Sequence, residues 1–349
     1  MFMKPVRFAL AGFGAWGKFH AQSIAANPDA RLVAIAAPSE ASREESRKIY
    51  PEATIFADSL EMIAKADFDI IDIATPSHTH REVALEAMHK GRHVLLEKPM
   101  AITLDDCKAI VACARDHGVH LAVGHELRFS SQWGRIKEII DAGTIGEPQY
   151  VLVELLRKPY RTGAGGWRYD QNRVGSWVLE EPIHFFDLAR WYLEGSGDPV
   201  ELYAYGNSRD PSRPTLYDNF SAMFKYGNGS YAVVSQTLAA FEHHQTVKVS
   251  GTKGALWAGW SGALDRTLEP NAFLKVFDGE KLEDVTLTKQ SGEVFELHAE
   301  IAQCIDMVRS GSKPIATGRD GLWSAGLCLV AEESIRQGKP LPVGELLMF

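Results

Sequence analysis

Short, continuous apolar segments alternate with amphipathic segments along the first third of the chain. Continuous apolar runs are typical of strands buried on both faces of a parallel sheet, and the amphipathic stretches are typical of helices. The predicted strands are residues 6–11, 31–36, 54–56, 69–74, 93–96 and 119–123. The predicted helices between them are residues 18–27, 39–49, 59–64, 79–90 and 103–117. This alternation predicts a doubly wound parallel sheet, an α/β fold.

The pattern changes after Gly124, where strands cease to alternate with helices. The predicted elements are then, in order, a helix over 130–141, a strand over 149–156, a glycine- and aromatic-rich loop over 161–175, a helix over 176–193, successive β-runs over 201–287, and helices over 296–309 and 321–337. Neighbouring β-runs without long helices between them favour antiparallel pairing. We therefore expect two domains, residues 1–124 and 125–349, the second an α+β domain with a large, mostly antiparallel, open sheet.

A glycine-rich turn joins the first predicted strand to the first predicted helix. It has the pattern G-x-G-x-x-G and consists of Gly12, Phe13, Gly14, Ala15, Trp16 and Gly17. The first glycine permits the tight turn, the second lets a pyrophosphate approach the backbone, and the third allows close packing of helix on strand. The partial positive charge of the helix N-terminus also suits a phosphate. The motif predicts a dinucleotide-binding Rossmann domain, against the alternative of a packing turn that binds nothing.

The end of the second predicted strand bears on the choice of cofactor. Domains that bind NAD place an acidic residue about 20 residues past the glycines, on the ribose 2′-hydroxyl. Here that region reads Ala36-Ala37-Pro38-Ser39, without an acid. Ser39, Arg43 and Arg47 follow closely and are candidates for a 2′-phosphate, although a solvated helix face would also contain such residues, Arg47 in particular. We expect NAD or NADP as cofactor, with no strict exclusion of NADP.

The fifth predicted strand ends in the charged sequence Glu97-Lys98-Pro99. Ligands of open parallel sheets bind beyond the carboxyl ends of the strands, so chemistry is expected at this edge. Burial would lower the pKa of Lys98 and let it exchange a proton with a substrate oxygen, while Glu97 holds the lysine. Pro99 fixes the chain direction, with a cis peptide bond as one option. The alternative is an ordinary surface lysine in a strand-to-helix turn.

Composition narrows the classes of function. The chain has 349 residues, 45% of them apolar, and a net charge of −8. Because no block of basic residues stands out, nucleic-acid binding is disfavoured. The four cysteines form no C-x-x-C pair, which argues against a zinc site or a disulfide framework. No run reaches about 18 apolar residues, so we expect no membrane helix and a cytoplasmic location.

A series of short motifs runs through both predicted domains. The motifs are the glycine turn at 12–17, Thr75-Pro76 with His80, Glu97-Lys98-Pro99, Gly124 with Arg128-Phe129, Gly143 with Ile145-Gly146, Trp167-Arg168, and Glu180 with His184 and Asp187. In order and spacing the chain resembles the Gfo/Idh/MocA oxidoreductases over nearly its whole length. The resemblance implies hydride exchange between NAD(P) and a sugar, cyclitol or related alcohol. It makes Lys98 the site lysine and His184 the site histidine, with Thr75, Pro76, His80 and Glu97 beside the cofactor.

Two departures from the family pattern affect the expected substrate site. The family usually has D-x-G-x-H where this chain has Glu180-Glu181-Pro182-Ile183-His184, and it often has Asn where this chain has Glu126. Three carboxylates are therefore expected near one pocket. The alternative is that Glu181 faces solvent and Glu126 pairs with Arg128. The substrate-binding candidates are Lys98, Glu126, Arg128, Trp167, Arg168, Asn172, Glu180 and His184.

The spacing of Glu180 and His184 would place both on one face of a helix. Such a pair can orient an imidazole and fix its tautomer, which makes Glu180 a catalytic candidate beside Lys98 and His184. The same spacing suits a metal site. Because no third ligand is placed by the sequence, we expect no metal.

The expected function is that of an NAD(P)-dependent dehydrogenase of a sugar or polyol, in which Lys98 or His184 takes the proton. Two alternatives stay open. One is an NAD-dependent glycosidase that acts by transient oxidation and elimination, and the other is a non-catalytic NAD(P)-sensing regulator. We also expect a homodimer or homotetramer formed through the open face of the second sheet.

Overall fold

The computed structural model describes residues 4–344, and its N-terminal part is built on a six-stranded parallel sheet. The strands are β1 (Val6–Ala11), β2 (Ala30–Ala36), β3 (Thr54–Phe56), β4 (Ile70–Ile73), β5 (His93–Glu97) and β6 (Leu121–Gly124). Their order in the sheet is β3-β2-β1-β4-β5-β6. This is the order of a dinucleotide-binding Rossmann fold, so the predicted doubly wound parallel sheet is confirmed.

Five helices connect these strands. They are α1 (Ala15–Ala26), α2 (Glu40–Ile49), α3 (Ser59–Lys65), α4 (His80–His89) and α5 (Leu104–Asp116). Three of them begin at a side-chain cap, because Ser39, Asp58 and Thr103 each accept a hydrogen bond from a backbone N–H three residues later. Such caps satisfy amides that the first helical turn leaves unpaired, which explains where these helices start.

The remaining chain forms a nine-stranded sheet with its own helices. The strands are β7 (Pro148–Arg157), β8 (Pro199–Asn207), β9 (Asn219–Tyr226), β10 (Tyr231–Thr237), β11 (His243–Gly251), β12 (Ala255–Gly262), β13 (Asn271–Phe277), β14 (Leu282–Asp284) and β15 (Leu341–Pro342). Their order is β14-β13-β12-β11-β7-β10-β9-β8-β15, and within it only β7 and β10 pair in parallel. The predicted large, mostly antiparallel sheet is therefore confirmed.

The helices of this second part are α6 (Trp133–Asp141), α7 (Gln171–Val174), α8 (Trp177–Glu180), α9 (Pro182–Tyr192), α10 (Glu293–Ser310) and α11 (Gly318–Gln337). Helix α9 packs on β7 and β10 and covers one face of the sheet. The prediction of a single helix over 176–193 is wrong, since α8 ends at Glu180 and α9 begins at Pro182. Proline lacks an N–H and disfavours the helical conformation of the preceding residue, which accounts for the break at Glu181.

The described chain divides into two compact units that differ from the predicted division at residue 124. The first unit comprises residues 4–126 and 297–322, and the second comprises 127–296 and 323–344. The later segment belongs to the first unit because Ile301, Cys304 and Ile305 are buried in the same core cluster as Phe8 and Leu10. None of the helices within residues 4–344 combines the length and the apolar character that crossing a membrane requires.

Candidate active site

The glycine turn before α1 has the geometry of a phosphate cradle. A Cβ atom on Gly12, whose φ is +100°, would lie 2.5 Å from the Ala74 carbonyl oxygen, and one on Gly17 would lie 2.0 Å from the Gly12 carbonyl oxygen. A Cβ on Gly14 would have no atom within 4 Å. No side chain caps α1 at Gly14, so the first amides of this helix are available to an anion. The turn therefore fits the pyrophosphate of a dinucleotide.

At the end of β2, Ala37 is buried and offers no carboxylate for a ribose hydroxyl. Arg43 folds back onto this turn, where its Nη1 donates to the carbonyl oxygens of Ala37 (2.9 Å) and Pro38 (2.7 Å). Glu40 is the nearest acid in sequence, but it is held by Arg43 and Arg47, whose hydrogen bonds lower its pKa. Ser39 is the cap of α2 and accepts from the Ser42 amide.

Lys98 lies directly beyond β5 and is half-buried. The Lys98–Pro99 peptide bond is cis, as the sequence suggested. His80 ties this turn to the end of β4, because its Nδ1 lies 2.9 Å from the Pro99 carbonyl oxygen and its Nε2 lies 2.8 Å from that of Thr75. Burial lowers the pKa of His80, against the hydrogen bonds to Thr75 and Pro99, which would raise it. His80 thus fixes the two turns against each other.

Glu97 connects Lys98 to a buried histidine that the sequence reasoning missed. One carboxylate oxygen accepts from the Lys98 amide (3.1 Å), and the other lies 3.0 Å from His20 Nε2. The second ring nitrogen of His20 lies 2.7 Å from an Asp72 oxygen. Burial would raise the pKa of Glu97, but the hydrogen bond and charge of His20, with the charge of Lys98, outweigh burial and lower it.

Two signals in the sequence could have revealed this cluster. Asp72 interrupts an otherwise apolar buried strand, and His20 stands three residues after Gly17, one turn into α1. Each alone is weak, because a polar residue on a buried element is commonly satisfied by nearby backbone. Only the fold brings them to one place.

In the second unit, Arg128 forms a buried pair with Asp187 of α9. Its Nε and Nη2 donate to the two carboxylate oxygens at 2.8 and 2.7 Å, and its guanidinium lies 4.9 Å from the centre of the Trp191 ring. A bidentate pair of this kind is rigid and directional. These contacts make Arg128 an anchor of α9. Glu126, in the first unit, is also buried.

The segment after β7 brings three predicted substrate residues together. Arg168 hydrogen-bonds to Glu180 through its Nε, and its guanidinium lies 4.8 Å from the centre of the Trp167 ring. The Arg168 carbonyl oxygen accepts from the Trp177 indole (2.8 Å), which fixes the backbone of this segment on α8. Asn172, on α7, is exposed, and its backbone N–H donates to Asp170 Oδ1 (3.0 Å).

Glu181 does not face solvent, so that alternative is wrong. It is buried, pairs with Arg157, and lies 3.1 Å from His243 Nε2. Glu180 and Glu181 are thus held by different arginines. His184 is buried on α9, whereas Glu180 belongs to α8, so the argument that they share one helix face fails.

The fold and the cradle at Gly14 define an NAD-binding oxidoreductase, and comparison with known proteins agrees. Residues 6–125 match an oxidoreductase family with an NAD-binding Rossmann fold, and residues 133–257 match the GFO/IDH/MocA C-terminal domain. The chain belongs to the GFO/IDH/MocA family of oxidoreductases.

Relatives of known name resemble the chain over most of its length. Inositol 2-dehydrogenase of Rhizobium meliloti is 28% identical over 97% of this chain and 99% of its own length. The 1,5-anhydro-D-fructose reductase of Ensifer adhaerens is 27% identical over 81% of this chain and 83% of its own. The crystal structure of a putative myo-inositol dehydrogenase from Sinorhizobium meliloti matches with a TM-score of 0.80 and 26% identity, over 97% of this chain and 99% of that one.

Proposed function

We propose that this oxidoreductase exchanges a hydride between NAD(P) and a secondary alcohol of a sugar or cyclitol. The observation that supports the proposal most is the position of Lys98. It follows β5 at the carboxyl edge of the sheet that also carries the glycine turn, and ligands of open α/β sheets bind at this edge. The names of the inositol dehydrogenase and the anhydrofructose reductase favour a polyhydroxylated substrate.

The protein's part in this reaction is to orient the substrate and to handle one proton. When bound, the nicotinamide carries the hydride. The Gly14 turn and the N-terminus of α1 would hold the pyrophosphate, and the Thr75 and Lys98 turns, fixed by His80, would flank the nicotinamide end. Lys98 or His184 takes the proton from the reacting hydroxyl and polarises its oxygen.

Glu180, Arg168 and Trp167 have a different proposed role. Their hydrogen bond and ring contact would present a charged group and an aromatic face to a polyol. Aromatic faces suit the C–H face of a sugar ring, and a guanidinium suits its hydroxyls. In this scheme Glu180 orients Arg168.

The proposal is tested by measuring NAD(P)H formation with a panel of inositols, aldoses and anhydro-sugars. Turnover with at least one cyclic polyol is the expected result. Release of an aglycone from a glycoside without net NAD(P)H formation would instead identify the eliminating glycosidase. Binding of NAD(P) without turnover of any sugar would identify the regulator.

Replacing the proton-handling groups gives the sharper test. Lys98→Ala and His184→Ala are each expected to lower kcat by about 10²- to 10⁴-fold, the usual contribution of a proton-transfer group. Cofactor affinity, measured by fluorescence titration, should stay nearly unchanged, because the pyrophosphate binds at the glycine turn. Lys90→Ala and His244→Ala, at more exposed positions, are the matched controls. Wild-type turnover of Lys98→Ala would show that Lys98 is an ordinary surface lysine.

A further inference from the structure

A fully buried group of acids surrounds His20 inside the first unit. Glu300, on α10, approaches this histidine from the part of the chain that returns to the first unit after residue 296. One ligand-type atom from each of His20, Glu97 and Glu300 lies within 4.8 Å of the other two. Asp72 lies on the other side of the His20 ring.

The contacts of His20 fix its charge. Both ring nitrogens face carboxylate oxygens, at 2.7 Å from Asp72 and 3.0 Å from Glu97. A neutral imidazole carries one N–H, so contact with two acceptors requires the imidazolium. Burial would lower the pKa of His20, but the charge and hydrogen bond of Asp72, followed by Glu97, outweigh burial and raise it well above its ordinary value.

A negative charge on Glu300 would be energetically unfavourable in this group. Two carboxyl groups, those of Asp72 and Glu97, already share one histidine, and an uncompensated buried carboxylate is strongly unfavourable. Burial, reinforced by the charges of Glu97 and Asp72, raises the pKa of Glu300 well above its ordinary value. Its two oxygens have no hydrogen-bond partner among the described residues, whereas Glu97 Oε1 lies 3.0 Å from His20 Nε2. A protonated Glu300 has a hydroxyl to donate, and Glu97 has an oxygen to accept it.

Contacts with Gly124 and Trp16 also restrict the position of the Glu97 carboxylate. Its backbone pairs with Gly124 of β6, and a Cβ on Gly124 would lie 2.8 Å from Glu97 Oε1. The indole of Trp16, in the glycine turn, hydrogen-bonds to the same side chain. The Glu97 carboxylate therefore connects the cofactor cradle to the Lys98 turn. A small displacement of this carboxylate would disturb the contacts of both turns.

We infer that Glu300 is a neutral carboxylic acid that acts as a positioning residue for Lys98. Glu300 and His20 hold one oxygen of Glu97, so that the other oxygen holds the Lys98 amide in the turn beyond β5. Glu300 touches neither substrate nor cofactor in this scheme. The inference rests on the proposed role of Lys98 in proton transfer.

Two replacements of Glu300 test whether this side chain acts as a neutral hydrogen-bond donor or as an anion. Glu300→Gln keeps a neutral hydrogen-bond donor of nearly the same shape, and Glu300→Leu removes it. Cys304→Ala is the matched control, because Cys304 is buried one turn further along α10 and belongs to the core cluster of this unit. Gly124→Ala provides a second route to the same displacement if Glu300→Leu fails to fold.

The first readout is hydrogen exchange of the Lys98 amide in protein labelled with [15N]lysine, without cofactor; the resonance is assigned by its loss in Lys98→Arg. Glu300→Leu and Gly124→Ala should accelerate this exchange by about tenfold or more, the effect expected from losing a hydrogen bond to a charged acceptor. Glu300→Gln and Cys304→Ala should stay near the wild-type rate. The inference is overturned if Glu300→Leu leaves the exchange rate unchanged, or if Glu300→Gln is as damaging as Glu300→Leu.

The second readout is the division between kcat and cofactor affinity. Glu300→Leu should lower kcat by about tenfold to a hundredfold, as expected for a misplaced reacting group, and leave the Kd for NAD(P) nearly unchanged. Glu300→Gln should keep kcat near the wild-type value. If Lys98→Ala keeps wild-type turnover, the proposed function of Lys98 fails, whereas the exchange experiment still reports whether Glu300 holds the turn. If Lys98→Ala is inactive and Glu300→Leu is fully active, only the inference fails.

Discussion

At the scale of single residues, the surroundings of a carboxyl group decide whether it carries a charge. Glu97 is buried but faces His20 and Lys98, and its pKa is lowered. For Glu332, on α11, burial outweighs a hydrogen bond to Ser176 and raises the pKa from 4.5 to about 7. Burial alone would raise the pKa of either glutamate, so the difference comes from the partner that the fold supplies.

Glu332 should make stability depend on pH. Its folded-state pKa lies above the unfolded value, so its contribution is fully favourable below about pH 4.5 and is lost as the pH rises through about 7. Glu332→Gln should therefore gain free energy of unfolding relative to wild type over this window, by up to about 3 kcal/mol. Denaturant unfolding at a series of pH values measures it.

Glu333→Gln is the control, because Glu333 adjoins Glu332 but has its pKa lowered by Arg336 and Gln337. This variant should lack the gain. A Glu332→Gln difference that is flat from pH 4.5 to 8 would contradict the assignment of a raised pKa.

A single position also sets the expected cofactor choice. Ala37 occupies the place of the ribose-binding acid, so wild type should bind NADP without strict exclusion. Ala37→Asp should shift the ratio of the two dissociation constants toward NAD by about 10- to 100-fold, the value of a hydrogen bond to a charged group. Fluorescence titration with both cofactors measures the ratio, and Lys48→Ala, at an exposed position in the last turn of α2, serves as control. A wild-type preference for NAD of about a hundredfold or more would contradict the interpretation of Ala37.

The partners of buried charges were the part of the site that the sequence did not predict. Arg157 and Glu181 are 24 residues apart, and His20 and Asp72 are 52 apart. Hydrophobic periodicity places a residue on a face but does not say which charge of another element it meets. The glycine turn and the Lys98 turn were predictable because each depends on its own few residues.

At the scale of elements, prediction succeeded where one physical signal governed the chain. The strands of the first sheet were found because each is a mainly apolar run, and β5 was predicted within one residue of its observed end. The helix over 176–193 was mispredicted because its apolar pattern continues through Pro182, while the missing N–H of this proline ends α8. The apolar pattern indicated one continuous helix and the proline indicated a break, and the structure has the break.

The return of α10 to the first unit could not be predicted for a different reason. Its buried residues Ile301, Cys304 and Ile305 form an ordinary apolar helix face. Such a face indicates burial but not against which sheet. Two compact units offered two possible cores, and only the three-dimensional fold distinguishes them.

At the scale of the whole molecule, one face of the nine-stranded sheet exposes several large apolar side chains among polar ones. Large side chains on this face include Tyr205, Met223, Tyr231, Trp257 and Phe273, each more than a third exposed. Register places them on one face, because Trp257 lines up across the strands with Met223, and Phe273 with Tyr205. Several exposed large apolar side chains on one face of a sheet are typical of an interaction site.

We therefore expect a homodimer or homotetramer formed through this face. Wild type should sediment above its chain mass of 38.6 kDa, and a Met223→Lys/Trp257→Lys double variant should sediment at that mass. Leu268→Lys, an exposed apolar position on the connection between β12 and β13, is the control and should assemble like wild type. A wild-type protein that sediments only at the mass of one chain at micromolar concentration would contradict this expectation.

The discontinuous first unit has a consequence for synthesis in the cell. Ribosomes extend a chain at roughly 5–20 residues per second, and domains generally fold as their residues emerge. The core around Phe8 and Leu10 lacks its last contributors until Ile301, Cys304 and Ile305 have been translated. Part of the apolar surface of the nascent Rossmann sheet therefore stays exposed until residues 127–296 have been translated. During this interval, slower translation or a shortage of chaperones is expected to increase aggregation of the nascent chain.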